Sequence, residues 1–219
     1  MSRVAAVLLD VDGTLVDSND AHAAAWVKAF AEAGVTVRFD QVRRCIGMGG
    51  DKLMPEVSGI AEDSDQGQAI ARRRGEIFLD QFLPTVSAFP DAGRLVAALK
   101  ARGLTVVAAS SAKRTELHRL LQLAGADALL DGATSSDDAE ESKPDPDIVH
   151  AALERANAPA AAIMIGDTPY DLEAAARAGV RAIAFRCGGW SDANLPGAAA
   201  IYDGPWDLLA RLDESPLGG

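Results

Sequence analysis

The chain has only two cysteines, Cys45 and Cys187, far apart and outside any Cys-x-x-Cys pair. Two thiols cannot build a disulfide framework, which points to a reducing compartment and to a fold held by its hydrophobic core. Basic residues are also scarce. The 21 Lys and Arg against 32 Asp and Glu leave a formal net charge of -11. Such a surface repels nucleic acid and anionic membranes, so neither is expected as a partner. A bound anion would need positive charge concentrated locally, by a metal ion or by a few well-placed Lys and Arg. Long apolar runs are missing too. The run at residues 4–9, ended by Asp10, is too short for the apolar region of a signal peptide, and no stretch reaches membrane-spanning length. A cytoplasmic location is expected. The sequence has no internal repeat and no low-complexity tract.

What is present is ordinary globular material: 219 residues, 48% apolar and 24% charged, enough for one sizeable core with a modest insertion. Residues 4–9 are continuously apolar, as a strand buried on both faces of a parallel sheet should be. Similar segments recur at 104–109, 163–165, 182–185 and, more weakly, 198–202. Helical spacing lies between them. Ala92, Leu95, Val96 and Leu99 follow it, as do Leu117, Leu120, Leu121 and Ala124. Val149, Ala152, Leu153 and Ala156 repeat it, and Leu172, Ala175, Ala176 and Gly179 close the series. Strand alternating with helix predicts an α/β fold, a Rossmann-like parallel sheet with helices on both faces.

Residues 17–85 break the rhythm. Trp26, Ala29, Phe30 and Ala33 mark a helix ending at Gly34; the turn Gly47-Met48-Gly49-Gly50 follows, and a second long helix starts near Ser64 with Ile70, Ile77 and Phe78. No strand is expected between Leu15 and Ala88. The segment reads as an all-helical cap inserted into a discontinuous core of residues 1–16 and 86–219. The tail from Ser215 to Gly219 is expected to be disordered.

In open α/β sheets, ligands bind beyond the carboxyl ends of the strands. The first strand delivers Asp10-Val11-Asp12-Gly13-Thr14 there, and the second delivers Ser110-Ser111. Lys143 lies in the loop before the Val149 helix, and residues 163–165 lead into Gly166-Asp167-Thr168, with Asp171 a turn later. Clustered carboxylates repel one another unless a cation lies between them, and hard oxygen ligands favour magnesium. A metal beside a nucleophilic carboxylate shields it from an anionic phosphate. Asp12, two residues on, could protonate a leaving oxygen, while Lys143 and Ser110 could hold phosphoryl oxygens.

These segments resemble the motifs of the haloacid dehalogenase superfamily, phosphatase branch. The run Asp10 to Ser18 resembles the first motif and Ala108-Ala109-Ser110-Ser111 the second. Lys143-Pro144-Asp145-Pro146 resembles the third and Gly166-Asp167-Thr168-Pro169-Tyr170-Asp171 the fourth, in family order. The resemblance implies that Asp10 is the nucleophile and Asp12 the acid and base. It implies Mg2+ on the Asp10 carboxylate, the Asp12 carbonyl and Asp167, with Asp171 in support. Ser110, Lys143, Gly13 and Ser111 would then bind the phosphoryl group. The cap would match that of phosphoglycolate phosphatase and β-phosphoglucomutase relatives. The expected substrate is a small phosphorylated metabolite of glycolate, sugar or nucleotide type, and the expected assembly a monomer or homodimer.

Blander readings stand beside these. Asp-Gly and Gly-Asp pairs form turns, and Ser110 or Ser111 could simply cap the next helix. In the cap, His22 could touch substrate or pack a helix. Gly47 and Lys52 belong to a loop that relatives turn toward substrate. Arg74 best matches a basic cap position, although Arg72-Arg73-Arg74 is also what a solvated helix face looks like. The glycine-rich turn is neither a P-loop nor a dinucleotide fingerprint. Cys187-Gly188-Gly189-Trp190 reads as a turn beside the site, with Cys187 a packed thiol. A sugar-phosphate mutase is the alternative enzyme, but mutase relatives carry an arginine where this chain has Gly50. Dehalogenation has no use for the Asp12 proton, and phosphonate hydrolysis needs an imine-forming lysine that Lys52 is poorly placed to supply. The alternative of another class is a non-catalytic binding protein that keeps the fold.

Overall fold

The apolar runs align side by side in the computed structural model, which describes residues 3–218. Six strands form one parallel sheet in the order β3-β2-β1-β4-β5-β6. They are β1 (Ala6–Leu9), β2 (Thr105–Ala109), β3 (Gly132–Thr134), β4 (Ala162–Gly166), β5 (Arg181–Phe185) and β6 (Ala200–Tyr202). The chain moves outward from β1 to β2 and β3, then returns to the other side of β1 for β4. That reversal opens a crevice at the carboxyl ends of β1 and β4, where loops leave in opposite directions.

The register fixes what reaches that crevice. Leu9 lies opposite both Ala108 and Ile165, so the three central strands end nearly level. Asp10, Ser110 and Asp167 are therefore delivered to one rim. Strand alternation divides the core. Ala6, Leu8, Val107, Ala109 and Met164 pack under α7 (Asp147–Arg155) and α8 (Pro169–Arg177), against Ile148, Val149, Ala152, Leu172 and Ala174. The residues between them in sequence, Val7, Leu9, Val106, Ala108, Ile163 and Ile165, are fully buried on the other face. On that side α5 (Ala92–Ala101) packs against β2 and α9 (Pro205–Ala210). The remaining helix of this unit is α6 (Arg114–Leu123).

The chain divides into two compact units. One comprises Met1–Asp17 with Ser87–Gly219 and holds the sheet; the other is Ser18–Val86. The second unit contains α1 (Asn19–Glu32), α2 (Phe39–Cys45), α3 (Gly50–Ser58) and α4 (Asp65–Ile77) and no strand. Ser64 caps α4, its hydroxyl accepting from the Gly67 amide at 3.0 Å. In the sheet unit the two chain segments leading to the helices are joined across Val16 and Ala88, and Asp17 N–H donates to the Ser87 carbonyl at 2.9 Å.

Several expectations need correction. β3 has only three residues, Gly-Ala-Thr, at the sheet edge, and carries no apolar run that could announce it. α2 and α3 also went unanticipated, since the first is charged and the second contains Pro55. The inward face of α8 is Asp171, Leu172, Ala174 and Ala175 rather than one including Ala176, which is exposed. The tail is ordered: Ser215 and Leu217 are buried, and the Ser215 hydroxyl donates to the Leu212 carbonyl at 2.7 Å. Gly219, which the disorder expectation also included, lies outside the described residues.

Candidate active site

β1 ends in Asp10, and the chain turns at once. Gly13 adopts φ 74°, a left-handed conformation that side chains resist, and its amide donates to the Val16 carbonyl at 2.8 Å. This turn points the Thr14 hydroxyl back at the strand end. Its Oγ1 lies 3.1 Å from Asp10 Oδ2 and 3.0 Å from Asp167 Oδ1. One hydroxyl therefore bridges the two carboxylates.

Lys143 enters from the loop before α7 and is fully buried. Its Nζ lies 2.7 Å from Asp10 Oδ1, 2.8 Å from Asp171 Oδ1 and 2.7 Å from the Ala109 carbonyl. The contacts to Asp10 and Ala109 are hydrogen bonds, and the one to Asp171 is an ion pair. Asp171 is held from its own helix as well. Thr168 and Asp171 form a capping box at the start of α8, in which Asp171 Oδ2 accepts from the Thr168 amide at 3.0 Å and hydroxyl at 2.7 Å. With one oxygen on Lys143 and the other on Thr168, Asp171 is spent as an orienting group.

Burial pushes the Asp10 carboxyl up to about 7; Lys143 opposes this, while Asp171 and Asp12 add to it. For Lys143, burial works against the charged form, but Asp10 and Asp171 outweigh it and hold the ammonium above its ordinary range. A buried ion costs several kcal/mol in desolvation, so only paired, hydrogen-bonded charges persist there.

The donor chemistry fits a hard divalent cation. Asp10, Asp167 and Asp171 each place a carboxylate oxygen within 4.8 Å of the others, and all three are buried. Asp171 is engaged by Lys143 and Thr168, so Asp10 and Asp167, which share the Thr14 hydroxyl, are the carboxylates that would hold the cation. Oxygen ligands of this type suit Mg2+.

Other expected residues fall as follows. Ser110 is buried at the end of β2, and its Oγ accepts from the Ala112 amide at 3.0 Å, keeping its proton as a donor. Neither it nor Ser111 caps α6, whose N-cap is Lys113. Asp12 follows Asp10 in the same turn, close enough for its charge to raise Asp10. His22, Gly47, Lys52 and Arg74 belong to the helical unit. The buried His22 ring stacks on Phe78, with centroids 3.9 Å apart and planes 12° apart. Arg74 lies over the Trp26 ring at 4.9 Å, whereas Arg73 pairs with Glu32 and Glu76 at the surface. Gly47 adopts φ 110° ahead of α3, and Lys52 lies in the first turn of that helix.

Sequence reasoning gave Thr14 no role of its own and named Gly188 only as part of a turn beside the site. Thr14 sits inside the first motif and could have been flagged as a polar group at a strand end. Gly188 has no local signal, because its importance is a close approach to Asp167.

Comparison with known proteins places the chain. The family of haloacid dehalogenase-like hydrolases matches residues 7–185. The chain is 30% identical over 210 residues to a phosphoglycolate phosphatase of Rhodospirillum rubrum, covering 90% of this chain and 86% of that one. It is 35% identical over 189 residues to Protein SUPPRESSOR OF QUENCHING 1, chloroplastic, of Arabidopsis thaliana. That match covers 84% of this chain but only 18% of the plant protein. Among solved structures, a hydrolase from Pseudomonas syringae superposes with a TM-score of 0.88 at 28% identity, over 96% of this chain and 98% of that one. The matched span includes Asp10, Lys143, Asp167 and Asp171, and the chain belongs to the haloacid dehalogenase-like hydrolase family.

Proposed function

We propose that the protein is a magnesium-dependent phosphatase that hydrolyses a small phosphomonoester through an aspartyl-phosphate on Asp10. The observation that carries this reading is the Lys143 ammonium fixed between Asp10 and Asp171, with Asp167 linked to Asp10 through Thr14. An ordinary structural ion pair needs one carboxylate. Two on one ammonium, with a third joined to them through a hydroxyl, make sense where a further cation and an anionic substrate complete the charge.

Asp10 attacks phosphorus, and the substrate alcohol leaves with a proton from Asp12. Asp12 then takes a proton from water, which attacks the acyl phosphate and returns Asp10 with release of inorganic phosphate. Lys143 and Ser110 hold phosphoryl oxygens, with the Gly13 turn and Ser111 as further candidate contacts. Asp10, the Asp12 carbonyl and Asp167 would hold Mg2+, which would lower the repulsion between carboxylate and phosphoryl group. Lys143 has a second task, binding Asp10 Oδ1 and so aiming Oδ2.

Residues 17–85 are proposed as a substrate-selecting cap, with Gly47, Lys52 and Arg74 as its candidate contacts and His22 in a packing role. One observation weighs against the mutase alternative. Mutase relatives carry an arginine where this chain has Gly50, which lacks any side chain to hold a second phosphate.

A panel of small phosphorylated metabolites, assayed with Mg2+ and with chelator, tests the reading. At least one should be hydrolysed, only with the metal, and Asp10→Asn should abolish turnover while retaining the fold. Full activity of Asp10→Asn would contradict the mechanism. A wild-type protein inert on the whole panel would favour the binding-protein alternative.

A further inference from the structure

The turn after β5 touches both loops of the carboxylate cluster. Cys187 Sγ donates to the Gly13 carbonyl at 3.3 Å, in the turn that also aims Thr14. The next residue, Gly188, lies against Asp167 so closely that a Cβ there would fall 1.8 Å from Asp167 Oδ2 and 2.3 Å from its Cγ. No side chain of any size fits unless Asp167 moves or the turn retreats.

Retreat is opposed by the way the turn is tied down. The Arg186 amide donates to the Tyr202 carbonyl, and the Gly189 amide closes the turn on the Arg186 carbonyl, each at 2.9 Å. The Arg186 guanidinium binds both oxygens of Asp192, at 2.6 and 2.9 Å, and reaches Asp203 at 2.7 Å. Asp167 is thus confined between the Thr14 hydroxyl at one oxygen and bare backbone at the other. The thiol itself is unsuited to nucleophilic work, since burial and then the Asp167 charge push it above its ordinary range. Its use is as a tether.

We propose that the Cys187–Gly188 turn is the positioning element of the cation site: Gly188 is the wall that fixes the Asp167 carboxylate toward Asp10, and Cys187 holds the Gly13 turn in register with it. The inference rests on the reading of Asp10 and Asp167 as cation ligands. Neither residue touches substrate or metal; both act through a neighbour.

Mn2+ binding to the metal-free protein, followed by electron paramagnetic resonance, tests this without reference to turnover. Gly188→Ala should keep the wild-type circular dichroism spectrum and bind Mn2+ at least about tenfold more weakly, the size of loss typical when a group orienting a ligand is disturbed. In an Asp167→Asn background the same change should cost nothing further, because its effect passes through that carboxylate. A folded Gly188→Ala protein that binds Mn2+ as tightly as wild type would overturn the proposal. If Gly188→Ala does not fold, Cys187→Ala carries the test, since it removes a donor and adds no bulk. It should weaken Mn2+ binding and Cys187→Ser should restore it; wild-type affinity in Cys187→Ala would overturn the proposal. Wild-type protein that binds no Mn2+ at all would instead remove the underlying reading, a result distinct from either.

Discussion

Lys143 shows how much of the site depends on single side chains. Its buried ammonium is held by hydrogen bonds to Asp10 and the Ala109 carbonyl and by an ion pair with Asp171. Lys143→Met keeps the length of the side chain and removes the charge, leaving two buried carboxylates unpaired. Breaking a buried pair in this way costs about 3–5 kcal/mol. Urea unfolding near neutral pH should show a loss of that order. An undiminished stability would mean that the pair is not held as described. At this scale the sequence was informative wherever chemistry and motif coincided, as at Asp10, Ser110, Lys143 and Asp167. Where a residue matters for lacking atoms it indicated a turn beside the site but not the contact. Gly188 meets Asp167 from a turn 21 positions later in the chain, and only the fold makes that approach visible.

Elements were legible in proportion to the apolar pattern they carry. α5 buries the four residues its spacing predicted, Ala92, Leu95, Val96 and Leu99. α8 departed because its inward face includes a charged group: Lys143 draws Asp171 inside, and a rule that counts only apolar positions passes over it. The start of α8 therefore has two duties, capping the helix and orienting Asp171. Thr168→Ala removes the hydroxyl that accepts from the Asp171 amide and donates to its carboxylate. Loss of such a cap costs about 0.5–2 kcal/mol, which chemical denaturation should detect. Turnover should fall as well, because Lys143 loses a fixed partner. An unchanged rate would confine Thr168 to capping. β3, at three residues, shows the opposite limit, an element defined by pairing with β2 rather than by its own composition.

Across the whole molecule, a pH-dependent balance follows from the acidic cluster. Asp10 has a folded-state pKa raised to about 7, against about 3.9 for an unperturbed aspartate. Between those values the folded, metal-free protein binds a proton that the unfolded chain does not, so this group makes stability fall as pH rises. Surface carboxylates work the other way. At Asp138, burial would raise the pKa, but hydrogen bonds from Ser135 and the charges of Arg114 and Arg155 outweigh it and lower it. Its contribution is present above the unperturbed value and is lost as pH falls through the folded one. The thermal midpoint of metal-free protein should therefore decline from about pH 5 to about pH 7.5 by more than that of Asp10→Asn. Saturating Mg2+ should raise the wild-type midpoint, more at the higher pH. Parallel pH profiles for the two proteins, with no response to Mg2+, would contradict this.

The central claim is that Asp10 becomes covalently phosphorylated during turnover. The most direct test is rapid acid quench of wild-type protein turning over its best substrate with Mg2+, followed by mass spectrometry of the peptide bearing Asp10. The account predicts a peptide heavier by one phosphoryl group, carried on Asp10, discharged by hydroxylamine and absent from Asp10→Asn. Steady hydrolysis with no modified peptide at any quench time, and with Asp10→Asn still active, would contradict it.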